Sequence, residues 1–374
     1  MQKVMKKQKK MKKNKGLYVH IPFCSHICAY CDFCKMIYNE SLCNNYLKEL
    51  EKELASLSIK DIASIYVGGG TPSSLSLQNL HLLLDILSKY VYQGIHYTFE
   101  ANVESLSEDK IVLFHRYGVN RVSLGVQSFS DDLLKDMNRF HNENDVKITI
   151  DLLHKHHIDD INIDLIYGLP NQSFSLLKND IEKALSLDVT HISTYALMVN
   201  PNTLYGIKKV KEKDDDVLRE EYDYICEKLE EKGFKRYEVS NFAKEGFCSF
   251  HNKLYWSNSQ YYGCGLGASS YIGDVRYDNT KSLNKYLKGE YVASQELLSR
   301  EDKLFYELML GLRMSEGICI KELNEEYDID FETKYKEKIA KLVSDNLLQI
   351  EKGYVKVTKS NLYILDYIET ILLY

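Results

Sequence analysis

No stretch of this 374-residue chain approaches the roughly 18 consecutive apolar residues that a membrane-spanning helix needs. Nothing near its start has the short apolar core of a secretory signal, so export is not expected. Internal repeats are absent, as are low-complexity segments beyond a lysine-rich beginning. Nor are the nine cysteines dispersed as a disulfide framework would disperse them, because four of them crowd into residues 24–34. That crowding favours a reducing, cytoplasmic setting over disulfide pairing. At 44% hydrophobic and 27% charged, the remainder is the composition of an ordinary folded chain.

Acidic residues are missing from positions 1–15, which hold eight lysines. With a net charge of −6 overall, the rest of the chain carries −14. An acidic body lacks the basic footprint of a nucleic-acid-binding protein, so no nucleic-acid partner is expected. The lysine run reads as a disordered leader. Its one functional reading is weak contact with an anionic membrane surface, which would make a cytoplasmic protein membrane-peripheral.

A fourth metal ligand is missing as well. Cys24, Cys28 and Cys31, in a Cys-x3-Cys-x2-Cys pattern, offer three thiolates, whereas iron–sulfur clusters are usually held by four cysteines. Three ligands leave one iron open to a small molecule. Short cysteine spacings also occur in zinc sites, so the triplet alone leaves an incomplete zinc site as the alternative.

From Leu17 onward, strand and helix signals alternate. Strands are predicted at 17–21, 64–69, 97–101, 121–127, 161–168 and 191–197, with helices at 41–58, 76–90, 107–117, 130–136, 142–156 and 174–187. Six such repeats imply a parallel sheet with right-handed crossovers, too few for a closed eight-strand barrel. The expected fold is α/β, a partial (β/α)6 barrel over residues 16–205. Residues 206–299 extend it through a short strand at 235–239 and a Gly- and aromatic-rich stretch (237–273), whose glycines at 261–271 let that segment fold tightly beside the barrel mouth. Residues 300–374 read as helices around a β-hairpin (347–358), a small winged-helix-like domain of the kind that often serves as a lid.

Polar residues recur where the strands end, the position at which barrel active sites form. Gly68-Gly69-Gly70-Thr71-Pro72 follows the second strand, Glu100 ends the third, and Gln127 ends the fourth. Arg139 comes next, and Asp164 lies in the fifth strand. Buried carboxylates must be paired, and Arg139 could fork to a ligand carboxylate. A salt-bridge network lining the barrel is the competing explanation.

The strings LYVHIPFC, CDF, GGGTP, RVSLGVQSF, NIDLIYGLPNQ, YEVSNFA and HNKLYW resemble the HemN/HemW family of the radical S-adenosylmethionine (SAM) superfamily, over nearly the whole chain from Leu17. The resemblance implies that Cys24, Cys28 and Cys31 ligate a 4Fe–4S cluster served by an outside electron donor. It also implies that Tyr18, Gly69, Gly70, Thr71, Glu100, Gln127, Arg139, Asp164 and Ala196 contact SAM, with Tyr30 packed near the adenine. Two activities occur in the family. One is the oxygen-independent dehydrogenation of coproporphyrinogen III; the other is haem chaperoning, in which haem is bound and passed to an acceptor protein.

The dehydrogenase has a longer N-terminal extension and a further cysteine two positions past the third, where this chain has Phe33. Cys34, one residue on, has no assigned role. The HNxxYW string (His251–Trp256) is associated with the chaperone branch. His251 is therefore a candidate haem ligand, with Tyr255 and Trp256 as flat apolar faces; a buried hydrogen-bonding strut is its other reading. These departures favour a haem chaperone retaining the cluster and SAM. The dehydrogenase is the alternative, a radical methyltransferase is a third, and whether the chain is an enzyme stays open.

Overall fold

Strand β1 (Lys15–Ile21) sends Leu17, Val19 and Ile21, each fully buried, to one face of the main sheet. Tyr18 and His20 alternate with them, as the two-residue period of a strand requires. The same division recurs along β4 (Ile62–Gly69), β5 (His96–Asn102), β6 (Arg121–Gln127), β7 (Asp160–Tyr167) and β8 (His191–Ala196). These six strands are neighbours in chain order, and each adjacent pair is parallel. Amphipathic helices connect them, several begun by side-chain caps: Asn39 for Glu40–Ser56, Ser76 for Leu77–Ser88 and Ser173 for Phe174–Ser186. Each cap supplies an acceptor to an otherwise unpaired first-turn N–H. The computed structural model describes residues 14–374, so all but the end of the lysine leader lies outside the described residues.

The sheet is longer than six strands. β11 (Tyr261–Cys264) adds a further parallel strand against β1, followed outward by antiparallel β12 (Ser269–Ile272), β13 (Val275–Asn279) and β14 (Val292–Leu297). On the opposite side β10 (Asn241–Ala243) pairs antiparallel with β8, and β9 (Lys235–Arg236) pairs antiparallel with β10 at the edge. The sheet therefore ends in two edges, β14 and β9, and the barrel is not closed. Strand β9 is only two residues long. Beyond Arg236 the backbone turns, and Glu238 bridges instead to Met314.

Three apolar clusters organise the molecule. The largest lies between the sheet and its helices. A second joins Leu304, Leu308, Phe331, Leu342, Val355 and Ile368, within the C-terminal helices and the hairpin of β16 (Leu348–Glu351) and β17 (Tyr354–Val357). The third, which includes Ala29, Leu134, Met137 and Tyr205, sits under the cysteine loop. Among the described residues no helix is long and apolar enough to cross a membrane.

The aromatic-rich stretch divides between the two ends of the sheet, with Gly265 against the His20 carbonyl and Gly267 against Cys34 beside the cysteine loop. The helix Phe250–Trp256 packs at the N-terminal ends of the strands, away from the mouth. Phe250 stacks on His96 at the start of β5, centroids 4.4 Å apart. The carbonyl of Phe247 accepts from Arg121, the first residue of β6, and His251 meets Ser64 near the start of β4. The C-terminal domain docks on this plug: Arg313 stacks over Trp256 at 4.5 Å, and Lys253 pairs with Glu316. It is a base for the barrel, not a lid over its mouth.

Candidate functional site

The cysteine loop hangs from the C-terminal end of β1, between β2 (Phe23–Cys24) and β3 (Met36–Ile37). These short strands pair with each other in parallel, closing the loop at its base. Four neighbouring residues then hold it. The Ala29 N–H donates to the Met137 carbonyl at 3.0 Å, and the Ala29 carbonyl accepts from Tyr205 N–H at 2.9 Å. Asn138 Nδ2 donates to the Ile27 carbonyl at 2.7 Å, and Asn200 Nδ2 to Asp32 at 2.6 Å. The loop is thus fixed by protein contacts alone.

Its three thiols differ in environment. Burial pushes the Cys24 thiol up to about 11, and the Thr71 hydroxyl reaches its sulfur at 3.5 Å. Cys31 is likewise pushed up by burial. Burial acts the same way on Cys28, but a hydrogen bond from His26 and the Arg139 charge outweigh it and hold that thiol below its usual value. Thiolates are the metal-binding form, so Cys28 is the thiol most ready to bind.

Beside Cys24 the Gly68–Gly70 backbone supplies a cradle. A Cβ on Gly70 would lie 2.8 Å from the Pro22 carbonyl carbon and 3.0 Å from Cys24 Sγ. At Gly69 the backbone has φ +115°, and a Cβ would stand 2.5 Å from the His20 ring. Gly69→Ala is therefore expected to lose at least about 2 kcal/mol from left-handed strain and the clash with His20. A denaturant midpoint equal to the parent's would refute this.

Glu100 accepts from Tyr66 Oη at 2.7 Å and from Gly69 N–H at 3.0 Å. Burial, helped by the neighbouring Asp164 charge, raises its carboxyl to about 7. Burial also pushes Asp164 up, although Asn162 Nδ2 donates to it at 2.8 Å and Ser123 Oγ at 3.3 Å. Gln127 ends β6 with φ +72° beside a shift of register against β7, so its buried side chain is aimed by a strained backbone. Strain of this kind clusters at ligand sites. Tyr18 Oη meets His20 Nδ1 at 3.0 Å, and Ala196 closes β8 opposite Tyr167.

The structure brings Cys24, Gly69, Gly70, Thr71 and Glu100 into one connected group, and Tyr30, Cys28 and Arg139 into a second. Arg139 is not free, however. Its Nη2 donates to Glu104 at 3.0 Å and to the Gly125 carbonyl at 2.6 Å, while Nε faces the other Glu104 oxygen at 3.0 Å. The same carboxylate holds His26 at 3.2 Å and His141 at 3.3 Å. Sequence reasoning missed Glu104, His26 and His141. It also missed the column in which Asn162, His191 and Tyr237 are joined by bonds of 2.6 and 2.9 Å. Alternating polar residues in Asn162-Ile163-Asp164 were the one available signal for that column.

His251 stands apart from both groups. Ser64 and Gly69 lie about 16 Å apart along a strand rising about 3.3 Å per residue, and His251 is at the Ser64 end. Its Nδ1 meets Ser64 Oγ at 2.8 Å and its Nε2 meets Tyr255 Oη at 2.9 Å. Burial lowers its pKa to about 3, so the ring is neutral. An iron bond at either nitrogen would require one of these contacts to break.

The donor set fits a 4Fe–4S cluster with SAM beside it. A single zinc would gather sulfurs to within about 4 Å of one another, and among the described residues no group of three His, Cys, Asp or Glu side chains is arranged to hold a metal ion. A cube of four irons instead takes each thiolate at a separate iron. The glycine cradle next to Cys24 leaves backbone accessible to the polar end of a ligand, and Glu100 and Asp164 offer acceptors along its length.

Comparisons with known proteins agree with this geometry. The radical SAM superfamily profile matches residues 18–184, and the HemN C-terminal domain profile matches residues 298–363. A protein named heme chaperone HemW from Lactococcus lactis subsp. lactis is 37% identical over 93% of this chain and 94% of its own length. Those of Bacillus subtilis and Escherichia coli are 35% and 33% identical, covering 92% and 81% of this chain and 95% and 83% of their own lengths. In three dimensions, the coproporphyrinogen III oxidase HemN of Escherichia coli superposes with a TM-score of 0.84 at 21% identity. That match covers 100% of this chain and 93% of the enzyme.

Proposed function

Because the chain belongs to the HemW family of the radical SAM superfamily, we propose that it is a haem chaperone, binding haem and passing it to an acceptor protein. Family membership implies a 4Fe–4S cluster and SAM. We assign the cluster to Cys24, Cys28 and Cys31. SAM is assigned to the cradle and strand-end residues Tyr18, Tyr30, Gly69, Gly70, Thr71, Glu100, Gln127, Arg139, Asp164 and Ala196. An external electron donor and a membrane contact of the lysine leader belong to the same proposal, as does the division at residues 15, 205 and 299.

When both are bound, the cluster supplies one-electron reductive cleavage of the SAM sulfonium. The chain's own part is placement. The Gly69–Gly70 backbone admits the amino-acid end of the ligand, and Glu100 in its ionised form balances an ammonium. Arg139 supplies the cation for a carboxylate, steadied by Glu104, Gly125 and Tyr30 around it. The SAM-binding surface is formed at the sheet end opposite the plug.

One observation supports haem as the cargo. Three large apolar side chains on loops at the open end are left in water: Phe33 at 66%, Phe140 at 67% and Met198 at 71% exposure. Exposed apolar groups of this size mark surfaces that meet an apolar ligand or partner, and Phe33 stands where the dehydrogenase has cysteine. The test is anaerobic incubation of reconstituted protein with SAM, a reductant and coproporphyrinogen III, beside a haem titration. Stoichiometric haem binding without vinyl product is expected, and vinyl product would overturn the chaperone reading.

His251, the candidate iron ligand, is better assigned as a strut between β4 and the plug. His251→Ala is then expected to cost about 2–4 kcal/mol, from two buried partners left unpaired and a cavity. The Soret band of bound haem should not move. A shifted or lost Soret band with unchanged stability would restore the ligand role.

A further inference from the structure

A cavity of about 390 Å³ lies where the edge strand β9 meets the C-terminal hairpin, remote from the cysteine loop. Most of the residues lining it carry hydrogen-bond donors: Lys235 and Arg236 from β9, Gln349 and Lys356 from the hairpin, Lys359 just beyond it, and Ser315 from the linker. One acid, Glu230, shares the wall and pairs with Lys359. Lys356 reaches Glu351 at 3.1 Å, and Lys235 reaches Glu245 only at 3.8 Å. Four cations against one acid lining the space leave an excess of positive charge in an otherwise acidic chain.

Two further observations indicate an unmet acceptor. Ser315 Oγ and Arg236 Nε are both buried without a hydrogen-bond partner. Arg236 is 9% exposed, and its other nitrogens are held by Tyr222 Oη at 2.9 Å and the Lys359 carbonyl at 2.5 Å, so its charge is fixed in place. Buried polar groups are rarely left unpaired without a reason. Haem does not suit this cavity. Its only apolar lining is Val357 and Leu362, and a porphyrin needs two broad apolar faces.

We infer that this cavity is a binding site for a small phosphate-bearing molecule, whose oxyanions would take the Lys235, Arg236 and Lys356 charges and the Ser315 and Gln349 donors. Such a ligand would tie the barrel edge to the C-terminal domain. Its position is two residues from Glu238, which accepts from Arg313 at 2.6 Å, the arginine stacked on Trp256. The site is independent of the haem reading.

Pyrophosphate is a suitable probe, titrated calorimetrically into the full chain at constant ionic strength. Saturable binding at one site per chain and a raised melting temperature are expected, with succinate giving neither. The double variant Lys235→Glu/Lys356→Glu should weaken pyrophosphate at least about tenfold, equivalent to about 1.4 kcal/mol, while its circular dichroism and reconstituted cluster absorbance match the parent. Both lysines are tied only to surface acids, so folding should survive. If the variant does not fold, Lys356→Gln is measured in its place with the same weakening expected. The proposal fails if pyrophosphate acts no differently from succinate or if a folded variant binds it unchanged. It also fails if an oligoglutamate peptide binds more tightly, which would make the cavity a dock for an acidic protein segment.

Discussion

Glu104→Ala is expected to destabilise the chain by about 3–5 kcal/mol, the typical effect of removing one member of a buried ion pair. The Arg139 side chain is 1% exposed and that of His141 0%, and the Glu104 carboxylate is the counter-charge shared by Arg139, His141 and His26. Without it a guanidinium is left in a desolvated pocket with a single carbonyl for company. Burial alone would raise the Glu104 carboxyl, yet the His141 and His26 hydrogen bonds and the Arg139 charge hold it far below the usual carboxylate range. A carboxyl lowered on folding adds stability above its unfolded value near 4.5, and that stability is lost as pH falls below it. The apo chain should therefore show an acid limb of destabilisation below about pH 4.5 that is smaller in Glu104→Ala. Urea midpoints across pH measure both effects, and a variant within about 1 kcal/mol of the parent would show the network to be as weak as a surface pair.

SAM affinity should fall steeply as pH drops below 7, by up to about tenfold per unit, because one proton must leave Glu100 before its carboxylate can balance an ammonium. The raised value of about 7 comes first from burial, with Asp164 adding to it. The linkage sign is opposite to that of Glu104. Between the unfolded value of 4.5 and about 7, folded Glu100 keeps a proton that the unfolded chain has released, so the apo protein loses stability as pH rises across that window. Bound SAM should flatten that slope, because the gain in affinity with pH cancels it. Glu100→Gln should weaken SAM and leave the remaining affinity flat between pH 5.5 and 8, measured by equilibrium dialysis of the reconstituted protein. A parent profile that is already flat would remove Glu100 from the ammonium.

Much of this was legible because the chemistry sits at strand ends and strands announce themselves. The run Arg121–Gln127 was bounded correctly, since seven consecutive buried residues between polar turns are hard to misplace. β11 and β12 were not seen as strands: four residues each, with glycines between them, are too short for a periodicity to emerge. Glu104 was passed over because Val103–Ser105 is a single tight turn with no pattern of its own. Its importance comes from Arg139 and His141, which only the third dimension brings near. The plug shows the same limit. HNKLYW declares a compact aromatic helix, but only contacts such as Phe250 with His96 and His251 with Ser64 decide at which end of the sheet it packs.

That end has a kinetic consequence. With the Phe250–Trp256 helix wedged below and the C-terminal domain seated on it, the lower end of the open barrel is stoppered. Whatever binds at Glu100 and Asp164 is therefore expected to come from the cysteine-loop end of the sheet. On the proposed assignment, a molecule covering Phe33, Phe140 and Met198 is expected to slow the exchange of SAM, so that the order of loading becomes a property of the architecture.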